Sequence, residues 1–365
     1  MTDTRKLTVV WELTRACDAG CNNCPKRAVA ETGEALTTYE SYKTIDQIAN
    51  VGPAEFLISG GDPLEREDVY QIIDYARRRG LAPQLVVSPT TRLTMEVVAR
   101  LHYNGLQKIV VSVDGSAPER HDVVHGVDGS FGLTLHAMRW AQFNGLHMDV
   151  NTLVCKRSIN DLPAIAEMLR HFSIDAWNLY FLVPVAGTSA SEMITAEETE
   201  GVFEFMHSLS SQVPFRVRAV EAPHYTRFQL QKSAAERESG SWSDFSGYLT
   251  DVPTDDVVGG PDRFVFITHS GDDRPSEFLP LGGGNIRFRS LGNILRGSDL
   301  FVALRDPANL KGKCGRCEFR AVCGGSRARA YAMTGDVFAA EPLCAYQPGT
   351  FGAKLPVVHT KGEGI

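Results

Sequence analysis

Over residues 7–210, short apolar runs alternate with stretches in which apolar residues return every three to four positions. The runs at 7–13 (LTVVWEL), 55–58 (EFLI), 83–88, 107–113 (QKIVVSV), 147–154 and 177–183 read as strands. The intervening stretches carry helical stripes: Val69, Ile72, Ile73 and Ala76 form one, and Leu162, Ile165, Leu169 and Phe172 another. Thr37 with Glu40 and Thr195 with Glu198 have the spacing of capping boxes, and Gly80, Gly105 and Gly145 read as helix stops. Six βα units with short connections predict a parallel sheet, and repeated right-handed crossovers curl such a sheet into a barrel or part of one. A doubly wound open sheet is the alternative. The barrel is favoured because the unusual residues all follow strand ends, and those ends converge on one face of a barrel.

Beyond 212 the pattern breaks down. Residues 233–256 are polar, and the whole of 213–260 reads as a connector with little core of its own. Structure resumes at Phe264-Val265-Phe266-Ile267, a turn at Gly271 and a second apolar run, Phe278-Leu279-Pro280-Leu281, which together suggest a hairpin. Residues 291–304 are predicted helical. The expected organisation is a barrel at 1–212, the connector, a small C-terminal domain at 261–348 and a loose tail at 349–365.

Composition narrows the function classes. The chain has 365 residues, 43% of them apolar, enough to bury a large core. A formal charge of −7 gives no electrostatic case for nucleic acid. There is no signal peptide and no apolar run long enough to span a bilayer, so a cytoplasmic protein without membrane partners is expected. Thiols stay reduced in that compartment, and clustered cysteines there read as metal ligands or redox groups before disulfides.

Seven of the eight cysteines fall into two such clusters. Cys17, Cys21 and Cys24 make a C-x3-C-x2-C run after the first strand; Cys314, Cys317, Cys323 and Cys344 make C-x2-C-x5-C-x20-C near the C-terminus. Four thiolates close a metal site, whereas three leave a position open for a cosubstrate. Zinc is the competing assignment in both places, but the first run lacks both the paired spacing of a zinc knuckle and a nearby histidine. Other special residues sit at strand ends: Gly60-Gly61-Asp62-Pro63 after the second, Ser112 to Gly115 at the fourth, Asn151 in the fifth, and Val183 to Gly187 after the sixth.

The cysteine run together with Gly60-Gly61-Asp62-Pro63 resembles the radical S-adenosylmethionine (SAM) superfamily, over roughly residues 7–210. The resemblance implies an α/β partial (β/α)6 barrel. It assigns Cys17, Cys21 and Cys24 to a SAM-ligating 4Fe–4S cluster. Gly60, Gly61, Asp62 and Pro63 would meet the methionine end of SAM, and Ser112, Asp114, Asn151, Val183 and Pro184 its ribose and adenine. Asn23, before the third cysteine, departs from the aromatic or His usual there.

The second cysteine set is similar to the SPASM/twitch extensions of the same superfamily, small α+β iron–sulfur domains. Fuller examples hold two clusters, with a further cysteine in the preceding hairpin. This chain has Ser276 there, so the resemblance implies one auxiliary 4Fe–4S cluster on Cys314, Cys317, Cys323 and Cys344, and two clusters in all. Residues 323–336 are similar to radical SAM enzymes of alternative haem pathways. The implied activity is SAM cleavage to a 5′-deoxyadenosyl radical and hydrogen abstraction, with flavodoxin or ferredoxin as electron donor. A tetrapyrrole side chain is the first substrate expectation and a peptide the second. Only six residues precede the first strand, so the N-terminal peptide-recognition module of many peptide maturases is not expected, which tilts against a peptide without excluding it. A non-catalytic iron–sulfur electron carrier is the reading from another class. Arg327 and Arg329 are candidates for substrate carboxylates, and Cys155, His125, His121 and Asp122 for acid–base or thiol chemistry.

Overall fold

The computed structural model describes residues 7–18, 33–52, 54–88, 90–185, 189–236, 257–258 and 264–351. Its barrel begins with β1 (Leu7–Glu12), α1 (Thr38–Asn50), β2 (Ala54–Ser59), α2 (Val69–Arg78), β3 (Pro83–Val86), α3 (Met95–Tyr103) and β4 (Lys108–Ser112). It continues through α4 (Pro118–His125), α5 (Ser130–Phe143), β5 (His147–Val154), α6 (Leu162–Leu169), β6 (Ala176–Phe181) and α7 (Ala196–Ser210). All six expected strands are present, and each pairs in parallel with its successor. Both capping boxes form, at the starts of α1 and α7. Gly80, Gly105 and Gly145 take φ of 82°, 100° and 72°, the left-handed conformation that ends a helix without a Cβ penalty.

Alternate residues of each strand meet the helices. Val9, Trp11, Phe56, Ile58, Leu85, Ile109, Val111 and Val150 join the buried stripes of α1, α2 and α6 in one apolar core. Ile45 and Ile48 are fully enclosed there, so truncating either to Ala costs about 2–5 kcal/mol. The opposite face of the strands lines the barrel and is polar: Ser59, Asp149, Asn178 and Arg218 are all buried. Lys108 bonds Asp149 at 2.8 Å and Asp175 at 3.0 Å, closing the end of the barrel away from the strand C-termini.

The expected connector at 213–260 is corrected. It contains β7 (Arg216–Val220), in parallel with β6, then α8 (His224–Glu236) and the short β8 (Val257–Val258), in parallel with β7. The sheet then resumes at its other edge. There β9 (Phe264–Ile267) lies parallel to β1, followed by β10 (Asp272–Arg274) and β11 (Gly284–Asn285). The eleven described strands run in the order β11-β10-β9-β1-β2-β3-β4-β5-β6-β7-β8. The C-terminal hairpin therefore extends the barrel sheet.

The hairpin also differs from expectation. Its return strand is Asp272–Arg274, reached by a tight turn in which Gly271, at φ 89°, donates to Thr268 O at 2.9 Å. Phe278 and Leu279 instead pack with Val183, Leu304, Ala328 and Val337 in a second apolar cluster, and Pro280 has no N–H to give a ladder. The predicted helix at 291–304 is two helices, α9 (Leu291–Gly297) and α10 (Asp299–Arg305), broken at Ser298. Two more follow, α11 (Gly312–Arg316) and α12 (Arg327–Thr334). Of the expected loose tail only 349–351 is described, and it packs inward: Phe351 N donates to the Tyr346 hydroxyl at 3.0 Å. Among the described residues no helix is long and apolar enough to cross a membrane.

Candidate active site and auxiliary cysteine site

The loop after β1 carries Cys17; Cys21 and Cys24 lie outside the described residues. This loop continues the β1–β2 pairing beyond the strand ends. Leu13 N donates to Ser59 O at 2.8 Å, Gly61 N to Thr14 O at 2.7 Å and Asp62 N to Ala16 O at 2.7 Å. The two glycines are required by this approach. A Cβ on Gly61 would lie 2.3 Å from Ala16 O, and one on Gly60 would lie 2.7 Å from Thr14 O. The Gly-Gly segment therefore fixes the backbone that presents the first cysteine.

Asp62 is fully buried, and both carboxylate oxygens have protein partners. Leu64 N donates to Oδ1 at 3.1 Å, as the cap of a short turn at Pro63–Glu65, and Thr90 Oγ1 donates to Oδ2 at 2.8 Å. Burial pushes its carboxyl above the usual range, with the two hydrogen bonds opposing. The geometry gives Asp62 a bracing role beneath the loop, and each carboxylate oxygen keeps a further lone pair.

Ser112, Asn151, Asn178 and Arg218 are register partners across β4, β5, β6 and β7, so one polar row crosses the barrel wall. Asn178 Nδ2 donates to Asn151 Oδ1 at 2.9 Å, while Asn178 Oδ1 and Arg218 Nε are buried without partners. Such orphaned atoms are what a polar ligand in the barrel would satisfy. Asp114, just past β4, accepts from Leu153 N at 2.6 Å and pairs with His125 Nε2 at 2.9 Å. Burial opposes its charge, but His125, the Leu153 N–H and His121 together outweigh burial and hold the carboxyl below its usual range. His121 stacks on His125 at 4.2 Å, and burial lowers its pKa to about 4. Asp122 caps the start of α5 through Ser130 and Phe131 N. Cys155 is a core thiol whose hydrogen-bond partner is the Ser158 hydroxyl at 3.7 Å, which corrects its candidacy for chemistry. Val183 is likewise in the second apolar cluster, and half-buried Pro184 follows it.

At the far end of the chain, Cys314, Cys317, Cys323 and Cys344 line one cavity, with His224, Arg227, Phe319 and Tyr346. Among the described residues, no three His, Cys, Asp or Glu side chains converge tightly enough for a single metal ion. Four thiols that line one cavity form a donor set that could hold a metal or an iron–sulfur cluster. Glu341 N donates to Cys314 Sγ at 3.3 Å, a contact that steadies a thiolate. Burial pushes the Cys317 thiol up to about 11 and raises those of Cys323 and Cys344, so ligation there releases protons.

Arg327 and Arg329 are both buried. Arg329 is fully buried in α12 and has every donor engaged. Nε bonds Leu182 O at 3.0 Å, Nη2 bonds Phe181 O and Glu221 O at 2.8 Å each, and Nη1 meets both oxygens of Glu341 at 3.1 Å. Arg327 holds Val337 O at 3.0 Å and Ala339 O at 2.8 Å. These arginines tie strand ends and backbone carbonyls to the cysteine domain, which corrects the expectation for Arg329, whereas Arg327 Nη2 is buried without a partner.

Glu221 completes that joint. Its φ of 55° turns the chain after β7, its carboxylate accepts from Ser276 Oγ at 2.6 Å, and Ser326 Oγ donates to the other oxygen. Sequence reasoning missed Glu221, His224, Arg227 and Glu341. The available signal was the His224/Arg227 spacing, which puts both on one helix face, but the surrounding polar composition masked it.

The match to the radical SAM superfamily model covers residues 11–169. The AdoMet-dependent heme synthase of Methanosarcina barkeri is 35% identical over 352 residues, spanning 96% of this chain and 99% of that protein. The PqqA peptide cyclase of Bradyrhizobium diazoefficiens is 26% identical over 352 residues, 94% of this chain and 87% of that protein. Among solved structures, SuiB of Streptococcus suis superposes with a TM-score of 0.69 over 94% of this chain and 78% of its own, at 13% identity, a likeness of fold alone. With the partial barrel, the cysteine-bearing loop and the glycine segment that holds it in place, the chain belongs to the radical SAM superfamily.

Proposed function

We propose that this radical SAM enzyme oxidatively modifies a side chain of a tetrapyrrole. What supports the substrate class is near full-length relatedness to a heme synthase at 35% identity, against 26% for a peptide cyclase of similar coverage. When bound, a 4Fe–4S cluster on Cys17, Cys21 and Cys24 with SAM supplies the 5′-deoxyadenosyl radical, and an auxiliary cluster on Cys314, Cys317, Cys323 and Cys344 supplies an electron acceptor. Gly60 and Gly61 set the cysteine loop, and Asp62 and Thr90 brace it. The row Ser112–Asn151–Asn178 offers hydrogen bonds to SAM. Asp114 with His125 stiffens the ends of β4 and β5, and Val183 with Pro184 forms the apolar edge. Enclosure by the barrel excludes water and holds the target carbon near the radical. The reducing electron enters from a flavodoxin- or ferredoxin-like donor.

The test is reduced, iron-loaded protein with SAM, assayed for 5′-deoxyadenosine, and coproporphyrin binding followed by absorbance and fluorescence quenching. Porphyrin binding with porphyrin-stimulated SAM cleavage is expected. SAM cleavage without porphyrin binding rejects the tetrapyrrole and promotes a peptide substrate. Absence of SAM cleavage rejects catalysis in favour of an electron carrier.

A further inference from the structure

Helix α8 supplies one wall of the four-cysteine cavity. His224 and Arg227, three residues apart, both line it, and Leu230 packs in an apolar cluster with Phe319, Tyr346, Cys317, Cys323 and Cys344. His224 is fully buried, and neither ring nitrogen makes a hydrogen bond within the protein. Burial lowers its pKa to about 3, against the Glu341 carboxylate and the Leu343 carbonyl, so the ring is neutral with a single N–H. Phe203 meets the ring edge-on at 4.9 Å, which fixes it from behind. Arg227 repeats the pattern. Nη1 and Nη2 are held by Glu200 and Gln231, its guanidinium lies 5.4 Å from the centre of the Tyr346 ring, and its Nε is buried without a partner. Two buried groups able to donate, neither in a well-formed protein hydrogen bond, thus border a cavity whose other polar groups include four sulfurs and the Glu341 carboxylate.

We infer that His224, with Arg227 Nε beside it, donates a hydrogen bond to the sulfurs of the auxiliary cluster and thereby raises its reduction potential, making the site an electron acceptor. This rests on the auxiliary-cluster reading above. Hydrogen bonds to cluster sulfurs stabilise the more negatively charged reduced state, so each raises the potential. His224 is a positioning and tuning residue: it touches the cluster's sulfurs and replaces none of the four thiolates.

The test uses protein in which Cys17, Cys21 and Cys24 are replaced by Ala, so that iron reports the second site alone. His224→Phe and His224→Gln are compared in that background by potentiometric EPR titration. His224→Phe should lower the reduced-to-oxidised ratio at a fixed potential about tenfold, a shift of about 59 mV for one electron. His224→Gln keeps an N–H and should recover most of it. Wild-type potential in His224→Phe, or equal shifts in Phe and Gln, overturns the inference while leaving the cluster reading intact. Absence of iron from the parent overturns both. Should His224→Phe fail to assemble, pulsed EPR on 15N-histidine-labelled parent decides. A weak coupling to one imidazole, lost in His224→Gln, supports the donor. No coupling, or the strong coupling of a direct ligand, overturns it.

Discussion

Replacing Arg329 with Met should destabilise the whole chain, and the structure sets the size of the effect. The guanidinium is fully buried and its five donors meet three carbonyls and the Glu341 carboxylate. Methionine fills much of the volume but leaves Glu341 charged, 1% exposed and without its cation. Breaking a buried pair from one side costs about 3–5 kcal/mol. With roughly 2.1 cal/mol/K of unfolding entropy per residue over 365 residues, that is a fall in Tm of roughly 4–7 °C. Glu341→Gln removes the complementary charge, keeping one acceptor oxygen and replacing the other with an amide donor. The double variant should then lose less than the sum of the two singles, since neither charge is stranded. The assay is thermal or denaturant unfolding of anaerobic, iron-loaded protein, with SAM cleavage measured alongside. A Tm within about 1 °C of wild type for Arg329→Met, or strict additivity in the double variant, refutes the reasoning. Weakened substrate binding with unchanged stability would restore the carboxylate-holding role that the sequence suggests.

Iron-loaded protein should contain about eight irons per chain, falling to about four when Cys17, Cys21 and Cys24 are replaced by Ala; zinc, or about twelve irons, would refute the two-cluster assignment. Gly61→Ala places a Cβ 2.3 Å from Ala16 O and should displace the Cys17 loop. The N-terminal cluster and SAM cleavage should be lost with the auxiliary iron retained, as read by iron analysis and EPR. Glu40 is held down to about 2 chiefly by its hydrogen bond from Arg287 at 2.7 Å. A carboxyl depressed on folding contributes stability above its unfolded pKa and loses it as pH falls through the folded one. Arg287→Ala in metal-free protein should therefore flatten the stability–pH curve between about 4.5 and 2, and an unchanged slope there would remove this pair from the acid transition.

The six barrel strands were legible because each is an apolar run between recognisable helix caps and glycine stops, and the structure differs at their ends by one or two residues. Missing from the pattern were the elements whose buried faces are polar. Strand β7 reads Arg-Val-Arg-Ala-Val: Val217 and Ala219 join the apolar core, while the alternate position Arg218 turns into the barrel toward Asp149 and Glu55. Its alternation is that of a strand, but two arginines in five residues give no apolar run. Helix α8 is buried on nearly every side, with His224, Arg227 and Gln229 enclosed alongside Tyr225, Phe228 and Leu230, so no apolar stripe stands out from a polar one.

The same physics explains why the site was half legible. Thiols and paired glycines announce themselves by type and spacing, and their placement follows from strand ends. The residues that join the two halves announce nothing. Glu221, Arg329 and Glu341 are charged, and a charged residue in a sequence is by default assigned to solvent. Arg329 and Glu341 pair 12 residues apart, but the joint also draws on distant partners, Ser326 for half-buried Glu221 at 105 residues and Phe181 for Arg329 at 148. A local window holds no record of such pairings. The joint they make is specific in a way an apolar contact is not, because three carbonyls and a carboxylate fix the guanidinium in direction as well as distance. A buried polar latch thus ties the β6 and β7 strand ends to the second cysteine set. Function therefore sits in the part of the molecule where periodicity is weakest, and there the deciding evidence is geometric.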